Sequence, residues 1–96
     1  VAGILIPPVV NVSITGEIDI ATCRAMKDAL VAVPGPAHLE VDMSAVAFID
    51  ASGIGVLLAA RRLAVDAGGS LTVRAPSWAV QRVTGVLGLD EVLATR

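Results

Sequence analysis

Ring, thiol and imidazole chemistry are nearly missing from this chain of 96 residues, which holds one Trp, one Phe, no Tyr, one Cys and one His. A lone Cys23 has no partner for a disulfide and no thiolate set for a metal. A lone His38 removes His pairs and most nucleophile–imidazole arrangements. Two rings cannot supply the stacking platform that single-stranded nucleic acid requires. No sign of charge dominates: seven basic and nine acidic residues leave a net of −2. The basic residues are scattered rather than gathered into a stripe, so nucleic acid is not an expected partner. Long hydrophobic runs are absent too. The longest strongly apolar stretch, residues 53–60, is far too short to span a bilayer, and no signal-peptide pattern is visible. The expectation is a cytoplasmic protein without direct membrane insertion.

What the chain does have is aliphatic bulk. Hydrophobic residues make up 55% of it, and Val, Leu, Ile and Ala must fill the core that rings do not. That suits an α/β domain with a largely buried sheet, and the length suits a single domain over residues 1–96. Residues 1–6 read as a short edge strand, ended by Pro7–Pro8. Residues 9–15 alternate apolar with polar and read as the next strand. The segment Gly16-Glu17-Ile18-Asp19 breaks that pattern.

A helix follows over about residues 20–33, with Cys23, Met26, Ala29, Leu30 and Val33 on its inner side, until Pro34-Gly35-Pro36 stops it. A strand at 39–43, a bend at Ser44–Ala45 and a further rise through Val46, Phe48 and Ile49 lead to a helix from Gly53 to about residue 65. Gly68–Gly69 turn the chain into a strand at 71–74, and Pro76–Ser77 open a last helix carrying Val80, Val83 and Val86 inward. Residues 89–93 fold back as a final apolar turn. The order β-β-α-β-α-β-α predicts an α/β fold: a small mixed sheet of about four strands, built from mostly parallel β-α-β units with helices packed on it.

Loops leaving parallel strands emerge at one sheet edge, where ligands of open α/β sheets bind. Segments 16–19, 48–53 and 75–78 are expected there as neighbours, bringing Asp19, Asp50 and Ser52 together. Asp50-Ala51-Ser52-Gly53 suits the passage from a strand into a helix. Ser52 has two compatible readings. It is a favoured helix N-cap, whose oxygen accepts a free N–H of the first turn. On local chemistry the cap comes first; the sharper reading is a phosphate acceptor, since a phosphoserine adds roughly −1.5 to −2 charge where the helix dipole favours an anion.

The chain has no G-x-x-x-x-G-K-[ST] loop, no G-x-G-x-x-G fingerprint and no G-x-S-x-G elbow. Paired acids on an exposed edge are usually just solvated. A binding module is therefore expected rather than an enzyme, with no cofactor of its own. Cys23 reads as a small core residue and His38 as a surface residue at a strand entry. Glu40 and Asp42 read as wet-face residues or turn ties. Trp78 reads as packing for the last helix, with an exposed partner anchor as the alternative.

Ile14-Thr15-Gly16-Glu17-Ile18-Asp19, Leu39-Glu40-Val41-Asp42-Met43-Ser44, Phe48-Ile49-Asp50-Ala51-Ser52-Gly53-Ile54-Gly55 and Gly68-Gly69 resemble the STAS domain family, in order and over nearly the whole chain. The likeness is to its small bacterial anti-sigma factor antagonists. The resemblance implies a protein that binds an anti-sigma factor which is itself an ATP-dependent serine kinase, and so releases a sigma factor. It implies phosphorylation at Ser52, a complex broken by that modification, and a serine phosphatase that restores it. It implies a partner surface at Asp19, Asp50, Ala51, Ser52, Gly53 and Ile54. The kinase would bring ATP and magnesium, and this chain a hydroxyl. Alanine at position 51, where many relatives carry a second serine, leaves Ser52 as the acceptor in this loop.

Two other readings stay open. One is a STAS accessory subunit or cytoplasmic domain of a membrane transporter or lipid-transport complex. Transporter versions often carry an insertion after the first helix, whereas here the connection is only residues 34–37. The other is a nucleotide-binding regulatory domain using the Asp19–Ser52 edge, which lacks a phosphate-cradling loop. A monomer or weak dimer is expected, because an exposed first strand can pair with another chain.

Overall fold

The structure, a computed structural model, describes residues 6–33 and 35–93. Strands and helices alternate as β1 (Val9–Ile18), α1 (Cys23–Val31), β2 (His38–Ile49), α2 (Ala51–Asp66), β3 (Ser70–Arg74) and α3 (Trp78–Val86). The described strands form one parallel sheet in the order β1-β2-β3. Of the strand expected at residues 1–6, positions 1–5 lie outside the described residues, and Ile6 is not in a strand.

Each parallel pair needs a crossover, and α1 and α2 supply them. α1 packs on β1 and on α2, while α2 packs on β2 and β3, so the two helices cover one face of the sheet. Between them and the strands lies a core of Ile14, Ile18, Leu39, Val41, Met43, Val46, Ile49, Leu71 and Val73, closed by Met26, Leu30, Ile54, Leu57 and Ala60 from the helices. Cys23 and Val33 join its margin as expected, but Ala29 is exposed. The opposite face is polar. There Asn11, Glu40 and Thr72 share one register row, and Ser13, Asp42 and Arg74 the next. At the row where β2 begins, His38 Nδ1 and Ser70 Oγ lie 2.8 Å apart in a hydrogen bond.

β2 is one strand, not the two short pieces separated by a bend that its sequence suggests. Its 12 residues face the 10 of β1 because the ladder slips twice. Ser13 pairs with Asp42 but Thr15 with Ala45, and Gly16 pairs with Val46 but Glu17 with Phe48. Each slip is a bulge that adds one residue to β2. A one-residue insertion would normally turn the following side chains to the wrong face. The sequence compensates by spacing its inward residues differently: Leu39, Val41 and Met43 alternate, and then Val46 and Ile49 follow at intervals of three. Phe48, read as part of that rise, stands outward. The first bulge is tied by Asp42, whose Oδ1 accepts the Ser44 N–H at 2.9 Å and the Ser44 hydroxyl at 2.7 Å. These two bonds, chiefly the backbone one, hold the Asp42 carboxyl below its usual range, and Arg74 adds a weaker pull.

β3 pairs only with the first half of β2, ending with Arg74 opposite Asp42. Past that point the Ser77 N–H donates to the Met43 carbonyl at 3.2 Å, and α3 packs against β2. A helix thus covers the edge that a longer strand would have filled. α3 buries Val80 and Thr84, the Thr84 hydroxyl donating to the Val80 carbonyl at 3.0 Å. Val86 was expected inward, but six steps of about 100° leave it about 120° around the helix from Val80, and it is 82% exposed. The final apolar turn forms: Leu93 is fully buried and its carbonyl accepts the Val73 N–H at 3.0 Å.

The candidate partner-binding edge

Two aspartates mark the ends of neighbouring strands. Ile18 and Ile49 are register partners, and the Asp50 N–H donates to the Ile18 carbonyl at 3.1 Å, so Asp19 and Asp50 leave the sheet side by side. Each carboxylate organises the turn that follows it. Asp19 Oδ1 accepts the N–H groups of Ala21 and Thr22 at 2.9 and 3.0 Å. Thr22 closes the same turn, its hydroxyl accepting the Asp19 N–H and donating to the Glu17 carbonyl at 2.6 Å. The residues of this turn are those expected to open α1, which therefore begins at Cys23 rather than near residue 20.

Asp50, not Ser52, caps α2. Its extended backbone and its Oδ1, which accepts the N–H groups of Ser52 at 2.9 Å and Gly53 at 3.3 Å, give it the N-cap role. The helix accordingly begins at Ala51, and its first internal bond runs from the Ile54 N–H to the Asp50 carbonyl. The expectation of a Ser52 cap fails because an aspartate two residues earlier reaches the same donors. Ser52 is the second residue of the helix and half-buried, and its hydroxyl bonds to no other described residue.

The position of that hydroxyl is set from below. Gly53 is buried against the strand ends, and a Cβ there would stand 2.7 Å from both Ile18 Cγ2 and Ile49 Cγ1. Only a residue without a side chain lets the first turn of α2 sit this close to the sheet. Ile54 is 3% exposed and belongs to the core. Of the residues expected at a partner face, Asp19, Asp50, Ala51 and Ser52 carry accessible surface, whereas Gly53 and Ile54 position them.

The segment 75–78 is not where loop logic placed it. Because β3 stops opposite Asp42, Ser77 lies level with Met43, well short of the end of β2. The second half of α3 approaches the site instead. Asp50, Ala51, Arg82, Val83, Val86 and Leu87 line one open, mainly apolar depression of about 310 Å³. At its rim Arg82 lies over the Trp78 ring, 5.4 Å from the centroid, and Trp78 is 72% exposed rather than packed. Sequence reading missed Arg82, Val86 and Leu87. The available signal was the four-residue spacing of Trp78, Arg82 and Val86, which lines up one side of a helix away from Val80 and Thr84.

Among the described residues, no three His, Cys, Asp or Glu side chains converge as a metal site would require, and no helix is long and apolar enough to cross a membrane. What the edge offers is a surface: an unengaged hydroxyl, two carboxylates tied into turns and an apolar hollow beside them.

Comparison with known proteins adds to this. A family model described as "Mlab, STAS domain" matches residues 7–95. The chain is 27% identical over 85 residues to the anti-sigma-B factor antagonist of Bacillus subtilis (strain 168), covering 88% of this chain and 78% of that protein. Its fold is similar to that of the anti-sigma factor antagonist SpoIIAA in its unphosphorylated form, with a TM-score of 0.74 at 19% identity, covering 98% of this chain and 84% of the other. It is also similar to the STAS domain of a SulP transporter from Vibrio cholerae, with a TM-score of 0.67 at 13% identity, covering 96% and 72%.

Proposed function

We propose, since this chain belongs to the STAS domain family, that it is an anti-sigma factor antagonist: it binds an anti-sigma factor through the edge around Ser52 and is switched off by phosphorylation there. The observation that carries the reading is the Ser52 hydroxyl, held at the start of α2 by Asp50 and Gly53 yet bonded to no other described residue. It is supported by the likeness to the B. subtilis antagonist.

The transfer would be made by the partner, acting as an ATP-dependent serine kinase. The Ser52 oxygen bonds to the γ-phosphorus of ATP, the bond from that phosphorus to the β,γ-bridging oxygen breaks, and a base of the kinase takes the hydroxyl proton. ADP leaves, and this chain supplies the acceptor only. A serine phosphatase would reverse the modification.

The physical effect follows from the capping arrangement. A phosphoserine adds roughly −1.5 to −2 charge. The Ser52 and Gly53 N–H groups, which would best neutralise it, already serve the Asp50 carboxylate. The new anion therefore adds to Asp19 and Asp50 and faces the partner. A loss of roughly 3 kcal/mol weakens a complex on the order of a hundredfold.

The test is to mix the chain with the anti-sigma factors of its source organism and ATP–magnesium, following intact mass and complex formation together. One phosphate on the wild type, none on Ser52→Ala, and loss of the complex on modification is the expected result. A complex that forms without any phosphate would make this a constitutive antagonist and remove the switch.

A second reading, an accessory STAS domain of a transporter or lipid-transport complex, is favoured by the likeness to the SulP transporter STAS domain. It takes the lead if no anti-sigma factor binds.

A further inference from the structure

Resting on that reading, we infer that the partner contacts α3 as well as the Ser52 turn: a partner helix carrying apolar side chains and a carboxylate lies along Trp78, Arg82 and Val86 and fills the hollow beside Ala51. Three observations select this occupant. The apolar part of the hollow's lining is Ala51, Val83, Val86 and Leu87, with Asp50 and Arg82 completing it, and Val86 and Leu87 are exposed aliphatic side chains at its mouth. Trp78, Arg82 and Val86 stand one turn apart on one side of α3, a straight ridge of about 12 Å, the footprint of a helix rather than of a loop tip.

Arg82 brings a positive charge to a hollow that the Asp50 carboxylate also lines. Asp50 Oδ1 is engaged by two N–H groups, whereas Arg82 interacts with the Trp78 ring and with no carboxylate among the described residues. A guanidinium held over an exposed tryptophan presents its edge to an incoming carboxylate, and Trp and Arg are the residue types in which binding energy concentrates. Ala51 lines the hollow and precedes Ser52 in the chain, so a helix seated there lies beside the hydroxyl.

The experiment measures affinity for the anti-sigma factor with unmodified wild type, Arg82→Glu, Val86→Gln and, as a control on a remote exposed site, Leu63→Asp. Thermal melts verify folding of each. Arg82→Glu is expected to weaken binding tenfold or more and Val86→Gln several-fold, with Leu63→Asp unchanged and kinase-dependent phosphorylation of Arg82→Glu slowed in step. If the wild type binds and both α3 variants bind equally well, the α3 contact is overturned while the Ser52 reading stands. If the wild type binds no anti-sigma factor, both fall. A wild-type dimer that Arg82→Glu dissolves would assign this face to a second copy and overturn the partner helix.

Discussion

One carboxylate oxygen, Oδ1 of Asp50, holds the N–H groups of Ser52 and Gly53, so the stability of this turn rests on the aspartate and not on the serine. Asp50→Ala should cost about 1 kcal/mol, the usual loss for a helix cap, and lower the melting temperature by about 4–8 °C in a domain of this size. Ser52→Ala should change stability by less than about 0.5 kcal/mol, since the hydroxyl has no bond to another described residue to lose. Paired thermal melts of the two variants check both. A Ser52→Ala loss as large as that of Asp50→Ala would show that the hydroxyl is structural after all. Asp42 gives a second prediction at this scale. Its folded pKa is lowered by the Ser44 bonds, so its contribution is present above the unfolded value of about 3.9 and lost as pH falls through the lower folded value. Asp42→Asn should therefore flatten the acid limb of the stability curve and leave the neutral plateau's pH dependence unchanged.

Among the elements, the strand-to-helix passage from β2 to α2 is the most demanding, because two strand ends and a helix start meet at one residue. Gly53→Ala places a methyl group 2.7 Å from Ile18 and Ile49 side-chain carbons. It should destabilise by about 1–3 kcal/mol, the range for overpacking a filled core, and denaturant unfolding measures it. This junction was legible in the sequence because aspartate, serine and glycine together signal it. β2 was harder to read. Its two bulges exist only relative to β1, and a local period of two that becomes three reads as a bend when the partner strand is unseen. α3 failed for a related reason. Val86 and Thr84 are two residues apart, and choosing the polar one as the buried one requires knowing that the Thr84 hydroxyl is satisfied by the Val80 carbonyl. Pattern recovered the parallel order and most of the core. The approach of α3 to Asp50 was out of its reach, because it depends on where β3 stops.

At the scale of the molecule, the proposed switch needs no rearrangement, since the Ser52 turn is clamped between Asp50 above and the Ile18–Ile49 pair below. Phosphorylation, or Ser52→Glu as its partial mimic, should shift backbone amide resonances around residues 19–22, 50–54 and the facing part of α3 and leave those near residues 33–39 and 67–71 in place. Shifts spread through that far end of the sheet would rule out a local mechanism even with Ser52 modified. The far end has its own clamp: the Ser70 N–H donates to the Ala37 carbonyl at 3.1 Å, and a Cβ at Gly69 would overlap that carbonyl.

Asp50 caps its helix with Oδ1 alone. An asparagine offers the same acceptor without the charge. Asp50→Asn would therefore keep the helix start while removing one of the negative charges beside Ser52. The two duties of this residue, architecture and electrostatic tone, can be inherited separately. Were the proposed kinase lost, the charge would be free to drift without loss of the fold, and sequence variation confined to Asp and Asn at this position would be the trace of it.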